Sequence, residues 1–378
     1  MLNIAFPVLV TTATRALQRP FISQLARLML FSCFITTAIG CKSASDDSPL
    51  PGQLTNLQHD QLVLKAKEAI LNLDLKLLTS LTDQIDVNRL LADKSSLLAW
   101  AVETQEPEFV NVLLKKGAYV QLAKHNRFSP IIEACRYGNS DIINALLDRG
   151  ADITRSVDDG TSALHLCAAS SSLAELVRIS KEGADISEAN DYGQTPLMFA
   201  ANAGNVDNLN YLVQQGAKIN RQSHQGYSPL FFAIKSGSLK AVKAALANGA
   251  NIFATTKDGT TAAQLAVYSK NYVFLTWYVN NLDELMTPLE AKSLLTAFDR
   301  DGYQLLHAAV KANEKELVIA LLAKGAKATT VSAPSKLKWR YEANFKTQEY
   351  VPPQLTPIEI AEKHNFNDMV SLLRSTSA

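Results

Sequence analysis

The sequence predicts an all-α solenoid, an array of helix-turn-helix units joined by β-hairpin fingers, and three observations predict it. A Ser or Thr suited to starting a helix recurs every 33 residues through six units. The dipeptide Gly-Ala follows that residue by 21 positions in most units, and helical pairs of apolar residues stand between the two landmarks. Self-similarity at such a period marks an array whose units cannot bury their apolar faces alone and must stack on their neighbours.

Each element follows in order. Ser96-Leu97-Leu98, Ser129-Pro130-Ile131, Ser162-Ala163-Leu164, Thr195-Pro196-Leu197, Ser228-Pro229-Leu230 and Thr261-Ala262-Ala263 share one register. The hydroxyl is expected to cap a first helix, and Pro suits the first helical position. Nine residues past the cap stand Gly138, Gly204, Gly237, Asn313 and Asn365, types that reach the left-handed conformation that ends a helix. A second helix follows, with the pairs Leu146-Leu147, Leu212-Val213 and Leu321-Leu322 at its apolar face. The Gly-Ala pairs beginning at Gly117, Gly150, Gly183, Gly216, Gly249 and Gly325 close it, and Asp159-Gly160, Asp258-Gly259 and Asp301-Gly302 supply the tight turn of a finger.

The ends of the array are irregular. Val63 occupies the cap position one period before Ser96, with Asn72 at the turn, which predicts an N-terminal capping unit. Gln304 follows Thr261 by 43 residues and Thr356 follows Gln304 by 52, so insertions fall near 283–298 and 327–354. The first carries the capping box Thr287-Pro288-Leu289-Glu290 and predicts an additional helix. In the second, Leu337, Trp339 and Tyr341 alternate with Lys336, Lys338 and Arg340, a strand period that predicts one enlarged finger. About nine units are expected over 57–378.

The clearest units are Asp159-Gly160-Thr161-Ser162-Ala163-Leu164-His165-Leu166-Cys167-Ala168 and Tyr192-Gly193-Gln194-Thr195-Pro196-Leu197-Met198-Phe199-Ala200-Ala201. They resemble the ankyrin repeat. The resemblance implies a protein-binding module without catalysis, in which the fingers and first helices line a concave surface. It implies contact positions at the two residues before the finger Gly, the one after it, and the two ending the first helix. On this chain the first such set is His125, Asn126, Phe128, Arg136 and Tyr137, in a unit that has Arg127 where the finger Gly belongs. The candidates along the array are Arg136, Tyr137, Tyr192, Asn202, His224, Tyr227, Lys235, Lys257 and Tyr268. Tyr and Arg weigh most, being enriched among residues that carry binding energy. The basic-aromatic segment with Lys338, Trp339 and Arg340 is a further candidate for contact with protein, glycan or anionic lipid. A hairpin packed on itself is the plain alternative.

Charge and the N-terminus set the context. With 37 Lys and Arg against 36 Asp and Glu, the formal charge is +1 and there is no global basic field to recruit nucleic acid. The first forty residues hold Arg15, Arg19 and Arg27 and no acid, and end in an apolar run from Leu28 to Gly40, the layout of an export signal. That run is too short for a helix crossing a bilayer. Ala38-Ile39-Gly40-Cys41 resembles the bacterial lipobox, although Leu is usual where Ala38 stands. The resemblance implies a signal peptide over 1–40, a lipid anchor on Cys41 and a polar tether over 41–56. Cys41 as an ordinary cysteine near a cut site is the alternative, and Met29 is an alternative start. Lys42 after the cysteine resembles outer-membrane sorting, so the expected place is the cell envelope, on the outer membrane facing the periplasm.

Cys135 and Cys167 fall where the repeat puts a small core residue and are expected as buried, inert thiols, with a bridge or a nucleophile as alternatives. His165 and His307 occupy the repeat's own His position and are expected to be structural. No phosphate-binding loop, nucleophile elbow, His-Glu-x-x-His or Cys-x-x-Cys occurs, so no enzyme, metal or cofactor is expected. The expected function is a lipid-anchored envelope protein holding a protein partner in its groove, as inhibitor, immunity factor or scaffold. A structural or adhesive component binding glycan or lipid is the alternative.

Overall fold

The computed structural model describes residues 56–121, 129–336, 339–343, 346–350 and 352–375. The expected export signal, Cys41, nearly all of the expected tether, the contact residues His125, Asn126 and Phe128, and Lys338 lie outside the described residues.

Nine helix pairs form the array among the described residues. They are α1 Asn56–Leu71 with α2 Leu75–Leu81, α3 Leu97–Glu103 with α4 Pro107–Lys115, and α5 Pro130–Tyr137 with α6 Ser140–Leu147. Next come α7 Ala163–Ser170 with α8 Leu173–Lys181, α9 Pro196–Ala203 with α10 Val206–Gln214, and α11 Pro229–Lys235 with α12 Leu239–Ala247. The pair α13 Ala262–Tyr268 and α14 Tyr272–Asn280 is followed by two inserted helices, α15 Leu282–Leu285 and α16 Pro288–Thr296. The pairs α17 Leu305–Lys311 with α18 Lys315–Ala323 and α19 Pro357–Lys363 with α20 Asn367–Ser375 complete the array. Between the last two pairs, β1 Trp339–Ala343 and β2 Lys346–Tyr350 pair antiparallel, with Trp339 opposite Tyr350 and Arg340 opposite Glu349.

Capping follows local chemistry. Ser96 accepts from the Ala99 N–H at 3.1 Å, and Thr261, Thr287 and Thr356 form reciprocal boxes with Gln264, Glu290 and Glu359. Ser129, Thr195 and Ser228, each followed by Pro, make no side-chain cap bond, which corrects the expectation for these three. In two of them the third N–H of the helix turns to the cap's backbone carbonyl instead, Met198 to Thr195 and Phe231 to Ser228, both at 2.9 Å. Val63 is a second correction. It lies buried inside α1, because the apolar face Val63, Ala66, Ala69 and Ile70 continues a helix that starts a full two turns earlier.

The stack is held by a column of small side chains. The fifth residue past each cap is Ala101, Ala134, Cys167, Ala200, Ala233, Ala266, Ala309 or Ala361, and every one is fully buried. Small residues let neighbouring first helices approach closely, and in the middle of the array they pack more tightly than the second helices do. An array tighter along one edge curves, with the first helices and fingers on its concave side. The stack runs on across the insertion, since α13 meets α17 and α14 meets α18.

Cys135 and Cys167 are joined in a disulfide, not left as inert thiols. The reason is the small-residue column: it lets α5 and α7 approach so closely that Cys135, next to Ala134 of the column, and Cys167 within it have Cα atoms 4.5 Å apart, within the range a disulfide spans. The bridge closes a loop between units with a sequence separation of 32, worth about 3–4 kcal/mol by chain entropy. The double variant Cys135→Ala/Cys167→Ala, which places at each position the alanine that the following two units carry there, Ala168 and Ala201 for Cys135 and Ala200 and Ala233 for Cys167, is therefore expected to lower the urea midpoint. Thiol titration of the unfolded, unreduced chain should find neither body cysteine free.

Candidate partner-binding surface

The concave face is built from two groups of side chains. One is the finger tip, the two residues before each finger Gly and the one after it, and the other is the last part of each first helix.

Four fingers are locked at their bases by a buried polar side chain that accepts N–H groups from the finger itself, where the finger at Asp159-Gly160 has Val157 instead. Asn190 Oδ1 accepts from Tyr192 and Gln194 at 3.1 and 2.9 Å, and Ser223 Oγ accepts from Tyr227 at 3.2 Å. Thr256 Oγ1 accepts from Thr260 at 3.0 Å, and Asp299 Oδ1 accepts from Asp301 and Tyr303, both at 2.9 Å. Burial pushes the Asp299 carboxyl up, while the Tyr303 N–H pulls the other way. These four hold one register position, and sequence reasoning missed them because a short polar residue before a turn reads as loop.

Successive fingers are then tied together by backbone. His224 N–H donates to the Tyr192 carbonyl at 2.9 Å, and Lys257 N–H to that of Gln225 at 3.1 Å. This leaves no room for a side chain at Gly226, whose backbone has φ +86 and where a Cβ would lie 2.5 Å from the Lys257 nitrogen.

His165 and His307 lock fingers to helices. Nδ1 of each accepts from the backbone N–H of its own helix cap, Ser162 at 3.2 Å and Gln304 at 3.3 Å. Nε2 then carries the proton and donates to a carbonyl of the next unit, Gln194 or Thr330, both at 3.0 Å. Burial holds both rings below the ordinary histidine range.

The sequence candidates divide by location. In the N-terminal half, Arg136 Nε pairs with the largely buried Glu133 at 2.9 Å, and the Tyr137 hydroxyl donates to Glu103 at 2.8 Å. Burial and that glutamate push the Tyr137 pKa up to about 12. Both side chains are half exposed yet already engaged inside the protein. In the middle, Tyr192 is half exposed, Asn202 is half-buried near the end of α9, and the His224 ring covers Gly193.

In the C-terminal half, cations sit over tyrosine rings. Lys235 Nζ lies 5.5 Å from the Tyr227 ring, and Arg300 Cζ lies 4.3 Å from that of Tyr268. A third pair, Lys311 over Tyr303 at 4.8 Å, repeats the Tyr227 and Lys235 positions one insertion further on. Arg300, Tyr303 and Lys311 were missed in the sequence, although the cap at Gln304 and the finger at Asp301-Gly302 fix their register. Lys257 is exposed on the finger between the first two pairs. Trp339 and Arg340 fall on β1, away from these groups in sequence register. No group of His, Cys, Asp and Glu that could hold a metal occurs among the described residues.

Stacked helix pairs, hydrogen-bonded fingers and a concave face of exposed side chains define a repeat-built binding module. The family model for ankyrin repeats (3 copies) matches residues 67–157, 154–223 and 230–332, and the chain belongs to the ankyrin-repeat family. Ankyrin repeats generally mediate protein–protein interaction and are typically non-enzymatic. No curated protein matches the chain.

The two histidines give the module a pH dependence. Their folded pKa values are depressed, so the stability they contribute is present above the unfolded value of about 6.5 and is lost as pH falls below it, toward the folded values. Urea midpoints should therefore drop between about pH 7 and pH 5. The variant His165→Gln/His307→Gln should flatten that drop, while an unchanged slope would show that the rings do not carry it.

Proposed function

We propose that this protein holds a protein partner on its concave face while anchored by lipid to the bacterial envelope. The observation that carries the binding reading is the row of exposed and half-exposed Tyr and cationic side chains on rigid fingers and helix ends, from Tyr192 to Lys311. Such side chains are preorganised, so a partner would order few of them on binding. An inhibitor, immunity factor or scaffold role fits a surface of this kind.

The anchoring reading rests on the sequence from Leu28 to Cys41. The bonded pair Cys135 and Cys167 supports it independently, because disulfides persist in exported proteins and are rare in the reducing cytosol. A place on the outer membrane facing the periplasm agrees with both.

Two experiments test the two parts. Cys41→Ser should move the protein from the membrane fraction to the soluble fraction, and retention would remove the lipid anchor. Affinity capture of the native protein should bring down one stoichiometric partner, and Tyr192→Ala/Tyr227→Ala should weaken that complex by about tenfold or more, the scale of two contact residues of this type. Full retention by the double variant would take the site off this face.

A further inference from the structure

Of four cations on the C-terminal part of this face, Lys235, Arg300 and Lys311 rest on tyrosine rings and Lys257 stands on the finger between them. Lys235, Lys257, Arg300 and Lys311 are all exposed, and none reaches a carboxylate among the described residues. Elsewhere on this chain exposed basic residues do find acids, as Arg374 finds Glu362 at 2.7 Å and Lys315 finds Asp368 at 3.7 Å. Carboxylates of the same fingers are bonded within the finger or partly buried. Asp258 is held by the Thr256 hydroxyl and the Thr260 N–H, Asp299 is buried at the finger base, and Asp301 keeps one oxygen buried.

We propose that this strip, formed by Tyr227/Lys235, Lys257, Tyr268/Arg300 and Tyr303/Lys311, is the docking site for an acidic peptide segment of the partner. The proposal rests on the partner-binding reading above and specifies its chemistry. A cation resting on a ring face keeps its outward N–H groups for an incoming carboxylate, and the ring offers flat apolar surface to the peptide's stem. Neighbouring helices pack about 8–10 Å apart, so the strip presents a cationic pair at that step. An extended chain advances about 3.3 Å per residue, which puts a matching Asp or Glu at about every third residue. Concavity argues for a peptide over a bilayer, because a flat surface cannot meet side chains lining the inside of a curve. The N-terminal half does not share this chemistry, since Glu133 and Glu103 already occupy Arg136 and Tyr137.

The test uses the full chain in detergent and a fluorescein-labelled peptide of about twelve residues with Glu at every third position. The Gln analogue of that peptide serves as its uncharged control. The acidic peptide should bind at least about tenfold tighter than its analogue, and more weakly as salt rises. Lys235→Glu/Arg300→Glu/Lys311→Glu should abolish the difference, and the milder Lys235→Met/Lys311→Met should reduce it with the thermal midpoint unchanged. Lys240→Glu/Lys292→Glu, on α12 and α16, should leave it intact.

Equal binding of the two peptides, or binding untouched by the triple reversal, would overturn the proposal. So would displacement of the peptide by phosphatidylserine vesicles and not by phosphatidylcholine vesicles, which would give the strip to a membrane. A captured protein partner that ignores the triple reversal would overturn the acidic-segment proposal and leave the partner reading standing. Peptide binding that follows the charge pattern, with no partner ever captured, would support the strip and count against the partner reading alone.

Discussion

Close approach of neighbouring first helices is the constraint on which the rest of this structure depends. It is set by one column of alanines, with Cys167 as its single variation, all fully buried. A larger side chain in that column would push two units apart and open the apolar contact that gives each unit its stability. Curvature follows from the same column, because only the first helices carry it. The disulfide follows as well, since it forms where two cysteines occupy positions already close enough to bridge. Polar locks then convert contact into register: His165 and His307 fasten helix starts to the following unit, and backbone bonds tie finger to finger.

With register fixed, the residues left over on the concave side become a designed surface. A finger locked at its base by Asn190, Ser223, Thr256 or Asp299 presents the next side chains at a set height. The tyrosines of two fingers, Tyr227 and Tyr303, then lie beside the helix-end lysines Lys235 and Lys311, and the helix-end Tyr268 lies beside Arg300 of the next finger. Charge is divided along the face. The N-terminal part satisfies its own cation and phenol with Glu133 and Glu103, and in the C-terminal part Lys235, Lys257, Arg300 and Lys311 form no ion pair among the described residues. A nearly neutral chain thereby carries a local basic strip that its net charge of +1 conceals.

Much of the fold was legible in the sequence because repetition averages away local ambiguity. A single Thr-Pro-Leu says nothing, but Ser129, Thr195 and Ser228 in one register locate three helix starts. The same averaging misled at the edges, where Val63 was placed by period while its neighbours Ala66 and Ile70 continued one long helix. The cap hydroxyls were over-read for a physical reason: Thr195 and Ser228 use their carbonyls. The disulfide was illegible because sequence spacing does not report how closely two helices approach. Of the site, Tyr227, Lys235 and Tyr268 were found by position, whereas Arg300, Tyr303 and Lys311 lay beyond an insertion that interrupts counting at 33 but not the stack itself. That Arg136 and Tyr137 are engaged by acids from other positions was not legible, since pairing across units depends on side-chain direction.

Hydrogen-exchange mass spectrometry of the captured complex tests the central claim most directly, because it maps contact without altering a residue. The account predicts protection on binding at the finger and helix-end segments 224–235, 257–268 and 300–311, with little change on the second helices. Protection confined to the second helices or to the hairpin at 339–350 would contradict it.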